Sequence, residues 1–402
     1  MTYYMSVGDV PRKRHVAYRG DDGRLLYEEM IGEEGFSSTS SLLYRRNIPS
    51  AIARSATWDL TGTALRENRP LIPRHFDLHA LFPGGAGRDV VRHRRLVLGN
   101  DDVRISYVVA GETSPFYRNA LGDECVFIED GTARLESVFG SLDAGPGDYL
   151  VVPRATTHRW VVPPDAGPVR AFCIEATSHI TPPARYLSRF GQFLESAPYC
   201  ERDLRVPRAR LLAEDVGEDP DAEVDIYIKH RGAGGIGGSV HTSPRHPLDA
   251  VGWAGGLYPY AFNLRDFEPI NGRVIEPPPA HQVFEGRAFV VCNFVPRRVG
   301  YREGAVTAPY YHANVDSDEV MFYVAGRYEA RGGSGVRNGS VTLHTSGHSH
   351  GPQPGAYEAS IGVEEVDETA VMIDTFRPLL LGEGALESDD GVYLTSWLDR
   401  AD

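Results

Sequence analysis

Four histidines and two adjacent acids crowd into one stretch of this chain: His312, Asp318, Glu319, His344, His348 and His350. Two imidazoles and one carboxylate are the ingredients of a mononuclear metal site. When such a set occupies one face of an ion, the other positions stay open, which suits ferrous iron that must hold an organic substrate and O2 together. The imidazoles are neutral ligands that suit the divalent ion, and a single carboxylate lowers its charge without repelling an anionic substrate. Glu319 and its neighbour Asp318 are the candidate carboxylates. The competing reading is an incidental exposed cluster, and the match of ligand type to spacing speaks against it.

Side chains so far apart in sequence need rigid elements to bring them together, and the chain is written for strands. Its 43 glycines and 28 prolines punctuate runs rich in Val, Ile, Phe and Tyr. Examples are Val103 to Ala110, Cys125 to Ile128, Val224 to Lys229, Phe289 to Phe294, Val320 to Ala325 and Ala370 to Thr375. Many short strands with frequent turns predict an all-β sandwich or barrel with few helices. In strand alternation, Glu319, Met321 and Tyr323 share one face, and His344, His348 and His350 share parity. Pro183 to Pro198 is the clearest helical stretch, because Tyr186, Leu187, Phe190, Phe193 and Leu194 recur at helical spacing. The glycine-rich stretch Gly232 to Gly238 is the candidate boundary, dividing the chain into 1-240 and 241-402. Its formal match to a dinucleotide-binding glycine motif lacks the helix that would meet a pyrophosphate, so it reads as a linker or loop.

The two halves repeat one pattern. His312-x-Asn314-x4-Glu319-x6-Gly326 in the second answers Tyr117-x-Asn119-x4-Glu124-x6-Gly131 in the first. Gly347 and His350 follow the one, and Gly147 and His158 follow the other. This is an internal duplication in which only the second copy keeps a histidine pair. The first copy is expected to be metal-free and structural.

The spacing resembles the two cupin motifs, with Asn314 in place of the second histidine. The cupin resemblance implies two β-barrels with an extended N-terminal β segment packed on them. More closely, the chain resembles the homogentisate 1,2-dioxygenase family in its shorter form. The resemblance rests on PYYHANVDSDEVMFY, LHTSGHSHGP and VMIDTFRPL, and runs from Val10-Pro11-Arg12 to Pro378-Leu379. It implies that His312, Glu319 and His350 hold Fe(II), and that Tyr310, Tyr328, Arg331 and His350 meet the substrate. Arg331 stands where longer members carry a lysine, and a guanidinium pairs with a carboxylate through a two-pronged contact. The alternative for Arg331 is a solvated hairpin end beside Gly332-Gly333. His281 and His344 are the candidate acid/base or orienting histidines, His281 being divided between that role and loop structure. His348 reads as a rim residue. The activity implied is extradiol-type opening of homogentisate by O2 to maleylacetoacetate, a step of tyrosine and phenylalanine breakdown. The alternatives are a related enzyme acting on gentisate, another hydroquinone or an aminophenol, and a metal-bearing cupin that binds a small aromatic acid without turnover. A trimer-based homo-oligomer, trimer or hexamer, is implied by the same resemblance.

Bulk properties agree. The 402 residues carry 41 basic and 55 acidic side chains, a formal net charge of −14, which argues against nucleic acid or an anionic membrane as partner. Cys125, Cys173, Cys200 and Cys292 are scattered without a CxxC pair, as expected for reduced thiols in the cytoplasm. The N-terminus has no apolar signal core, and no apolar run is long enough to span a bilayer.

Overall fold

The computed structural model describes residues 3–83, 88–232, 235–270 and 278–398. The architecture is all-β, with two cupin-like units and an N-terminal sheet. Among the described residues the α-helices are two short ones, Ala356–Ala359 and Glu383–Ser388. In the first unit a seven-stranded sheet faces an eight-stranded one. Val108, Tyr117, Val126, Leu135, Leu150, Trp160 and Cys173 pack between them. A six-stranded sheet then lies on the other face of the eight-stranded sheet. A four-stranded antiparallel sheet, Met5–Gly8, Ala250–Gly255, Ser40–Arg45 and Tyr27–Gly32, carries the N-terminus.

The eight-stranded sheet is therefore covered on both sides. This explains why Val103–Ala110 and Val169–Ala176 read as nearly unbroken apolar runs rather than alternating ones. Its odd-numbered Ile105, Tyr107, Cys125 and Phe127 join the large core with Phe322, Val341, Leu343 and Ile373 of the six-stranded sheet. Phe172 stacks on Phe322 with ring centroids 4.5 Å apart and planes 3° from parallel. Even-numbered residues of the strand Asp318–Gly326 are spent on this contact. Its odd-numbered residues Glu319, Met321 and Tyr323 consequently point to the opposite side, into a cavity.

Strand pairing crosses the 240/241 division in both directions. Arg74–Asp77 adds the edge of the six-stranded sheet beside Ser340–His344, whereas Leu380–Leu381 joins the eight-stranded sheet beside Arg95–Gly99. Within the glycine-rich stretch, Gly232 and Gly235 to Gly238 are strand residues, and positions 233 and 234 lie outside the described residues. Val224–Gly232 and Gly235–Ser243 form one antiparallel hairpin whose register continues to Gly232 opposite Gly235. The helix expected over Pro183 to Pro198 is absent. A single 3-10 turn, Ala184–Tyr186, leads into a tight loop closed by a Leu187–Phe193 bridge. Gly191 adopts φ +86° there, and the Ser188 hydroxyl accepts backbone N–H groups from Phe190 and Gln192. A local side-chain acceptor and a left-handed glycine outcompete the helical ladder. Phe190 is left exposed, while Tyr186 and Phe193 pack on Tyr199.

His179 ties the N-terminal sheet to the first unit. Its Nδ1 lies 3.2 Å from Glu33 and 3.8 Å from Asp123, and Nε2 lies 4.0 Å from Glu34. Asp123 also accepts the backbone N–H groups of Arg154 and Ile180, so this group is an ion-paired strap. Contact with Asp123 and then Glu33 pushes the His179 pKa up to about 10 from its ordinary 6.5. A raised folded-state pKa contributes stability that is complete below the ordinary value and disappears as pH rises through the folded one. His179→Gln is therefore expected to lower the thermal midpoint at pH 6, with the difference from wild type vanishing above about pH 10. Parallel melts across that range test it.

Candidate metal centre

His312 and His350 are brought together by the backbone. The two residues form an isolated antiparallel bridge, with His312 N–H donating to the His350 carbonyl (2.9 Å) and the reverse bond at 2.8 Å. Their ring centroids are 4.3 Å apart. Each ring is oriented through its Nδ1–H: His312 donates to the Tyr310 carbonyl (2.7 Å) and His350 to the His348 carbonyl (3.3 Å). Both Nε2 lone pairs then face Glu319, which is the usual way a protein fixes the tautomer of a metal-binding histidine. The distances are 3.8 Å from His312 Nε2 to Glu319 Oε2 and 3.4 Å from His350 Nε2 to Oε1. One ligand atom from each of these residues lies within 4.8 Å of the others.

Asp318 is elsewhere. Its two oxygens accept the backbone N–H groups of Ser346 and Leu379, both at 2.8 Å, so it anchors the turn that delivers His350. The structure brings Glu319, not Asp318, to the histidine pair.

Charge in the site points to a cation. Burial opposes ionisation of Glu319, yet contact with His312, His344 and His350 holds its carboxyl well below the usual range. Glu319 raises the pKa of His312 in return. The Nε2 of His350 is buried with no hydrogen-bond partner. A buried acceptor without a donor is costly unless something fills the place. A divalent ion fits these donors: it would take both imidazole lone pairs and neutralise the carboxylate.

His344 stands behind the ligands. It is fully buried, stacks on His350 at 4.1 Å, and its Nδ1 is 2.8 Å from Glu319 Oε1. Burial lowers its pKa to about 3, so it is a neutral ring that donates to the carboxylate. Its Nε2 is 3.0 Å from the hydroxyl of Tyr393. It orients Glu319 and is not among the residues lining the cavity.

The cavity beside the ligands measures about 700 Å³, a size suited to a small aromatic acid with a diatomic partner. Its wall includes His281, His312, Glu319, Tyr323, Tyr328 and Arg331. His281 is buried and stacked on Phe294 at 4.4 Å; burial, then Arg297, lowers its pKa to about 3. Arg331 is not a solvated hairpin end. It is 8% exposed and donates through Nε to the Tyr323 hydroxyl (3.0 Å) and through Nη1 to the Gly351 carbonyl (2.6 Å). No carboxylate pairs with it among the described residues. Tyr328 spends its hydroxyl on Asn338 (2.8 Å) and presents its ring to the cavity. Tyr310 is 67% exposed at the rim, and His348 is half-buried in the turn.

Two participants escaped the sequence reading. Asp374 is paired in register with Glu319 on the next strand, and burial followed by the Glu319 charge pushes its pKa up to about 7. Its strand parity could have flagged it. Tyr393 lies in the C-terminal segment outside any motif, and no local signal points to it.

In the first unit the matching carboxylate, Glu124, accepts from Tyr117 (2.8 Å), Asn119 (2.8 Å) and the guanidinium of Arg94 (2.9 Å). Arg94 also reaches Glu175 at 3.2 Å, and Lys229 pairs with Glu175. A fixed cation of the protein occupies the neighbourhood of this carboxylate.

Residues 274–398 match the family model described as homogentisate 1,2-dioxygenase C-terminal. A protein of Saccharolobus solfataricus, named provisionally as a dioxygenase, is 36% identical over 401 residues, covering 99% of both chains. The homogentisate 1,2-dioxygenase of Bradyrhizobium diazoefficiens is 30% identical over 280 residues, 65% of this chain and 57% of that enzyme. The match thus spans little more than half the length of that longer relative. A solved cupin-domain protein from Leptotrichia buccalis superposes on 76% of the chain at 10% identity, with a TM-score of 0.30. With 36% identity along its full length the chain belongs to one family with the Saccharolobus protein, its C-terminal part matches the model described as homogentisate 1,2-dioxygenase C-terminal, and it is a dioxygenase.

Proposed function

We propose that the protein uses Fe(II), held by His312, Glu319 and His350, to open the ring of homogentisate with O2 and form maleylacetoacetate. The observation that carries this reading is the meeting of two oriented Nε2 atoms and a buried carboxylate, with His312 and Glu319 on the wall of a cavity that also holds Arg331, a guanidinium with no carboxylate partner among the described residues, while His350 stands just behind that wall. Both oxygen atoms enter the product, so no external reductant is needed. Iron(II) with open positions supplies a path for electrons from the electron-rich ring to O2, which as a triplet does not attack it directly.

The chain's own residues do the rest. Arg331 receives the substrate carboxylate, and being held by Tyr323 and Gly351 it loses little freedom in doing so. This fixes which edge of the ring turns toward His312 and His350. Tyr328 and Phe294 line the cavity and exclude water from the ring. His281 presents its imidazole in the cavity wall and is assigned the phenolic proton, whereas His344 is confined to orienting Glu319.

Anaerobically iron-loaded protein is expected to consume one O2 per homogentisate. A panel with gentisate, other hydroquinones and aminophenols locates the preferred substrate, and absence of uptake with every member would overturn the proposal. His312→Ala, Glu319→Ala and His350→Ala should each lose both bound metal and turnover; full activity in any one removes that residue from the ligand set. For Arg331, the acid and its neutral amide analogue are compared in wild type and Arg331→Met. Wild type should favour the acid by about 30-fold or more in kcat/KM, equivalent to roughly 2 kcal/mol. Equal preference in the variant assigns the carboxylate to Arg331, and an undiminished preference excludes it.

A further inference from the structure

We propose that Tyr393 is a positioning residue for the metal's carboxylate ligand, acting through His344 from a C-terminal hook. This rests on the metal-centre reading above and adds a residue to it. A neutral imidazole carries one N–H. With Glu319 Oε1 2.8 Å from Nδ1, that nitrogen bears the hydrogen, because a carboxylate only accepts. Nε2 is then a bare lone pair, and the Tyr393 hydroxyl at 3.0 Å donates to it. The phenol thereby selects the tautomer in which His344 holds Oε1. Oε2, on the side of His312, remains for the cation.

Tyr393 is delivered by contacts unrelated to the metal. Asp389 pairs with Arg74, and Asp390 accepts from His75 Nδ1 at 2.6 Å, while His75 Nε2 is 2.7 Å from the Ser340 hydroxyl. The other oxygen of Asp390 accepts the backbone N–H groups of Val392 (2.9 Å) and Tyr393 (3.3 Å), which forms the turn. Beyond it, Gln353 donates to the Ser396 hydroxyl (3.0 Å) and Trp397 donates to the Gly351 carbonyl (3.2 Å). That same carbonyl accepts from Arg331. Tyr393 is 1% exposed, with its ring 5.0 Å from Trp397 and 5.9 Å from His344. Such anchoring on both sides of the residue fixes the hydroxyl to the precision a ligand-orienting contact requires.

The test uses Mn(II) affinity of the full chain, read from the paramagnetic signal of free Mn(II). Tyr393→Phe keeps the ring and removes the donor, and the dissociation constant is expected to rise about 10- to 100-fold. In a His344→Gln background the same change should add nothing, because the tyrosine acts through that ring. An unchanged affinity in Tyr393→Phe, or an equal additional loss in the double variant, overturns the inference. Nitrogen NMR of histidine-labelled wild type provides a check without substitution: His344 should carry its proton on Nδ1, and an Nε2–H form overturns the assignment. Failure of wild type to bind Mn(II), or equal binding by His312→Ala, removes the metal centre itself and with it the role given to Tyr393.

Discussion

A buried carboxylate that must stay charged organises this molecule twice over. Transfer of an ion into a protein interior costs several kcal/mol unless partners replace its water. Glu124 and Glu319 occupy equivalent positions in the repeated pattern and meet the cost differently. Glu124 is enclosed by Tyr117, Asn119 and the permanent cation Arg94. Glu319 is enclosed by three histidines, of which His350 keeps an unpartnered nitrogen. One arrangement is closed by a protein cation, while the other leaves a buried imidazole nitrogen without a hydrogen-bond partner. The two copies thus diverge in which side chains answer the carboxylate.

The rigidity of the metal side comes from its back. Phe322 stacked on Phe172 commits one parity of the strand Asp318–Gly326 to the core shared with the first unit. A one-residue slip would bury Glu319 in that core and expose Phe322, so the register is strongly specified. The first unit therefore serves as the platform for the second. The exchange of Arg74–Asp77 and Leu380–Leu381 across the middle of the chain reinforces the same dependence. The hook carrying Tyr393 is fastened to Arg74 and His75, so residues from both halves support one ligand.

What was legible depended on how local its cause was. Strand alternation is set by the backbone itself, so the two-residue spacing of Glu319, Met321 and Tyr323 is enough to place them on one face. The ligand spacing was legible for the same reason, since bridge and turn geometry fix which offsets can converge. Helix-like periodicity over Pro183 to Pro198 misled, because Ser188 and Gly191 offer the backbone a local alternative and the rings of Tyr186 and Phe193 pack on Tyr199 just beyond the stretch. Gly232 and Gly235 to Gly238 read as a linker or loop yet lie in paired strands, because glycine serves a strand pair as readily as a linker.

By itself the chain's order of residues determined the all-β architecture, the duplication and the histidines that converge, because each follows from periodicity or spacing along a few neighbouring strands. Only tertiary structure decided between Asp318 and Glu319, turned Arg331 inward and joined Tyr393 to His344. Those outcomes depend on which distant backbone amides and carbonyls reach a side chain first. Hydrogen-bond competition among groups far apart in sequence leaves no periodic trace to read.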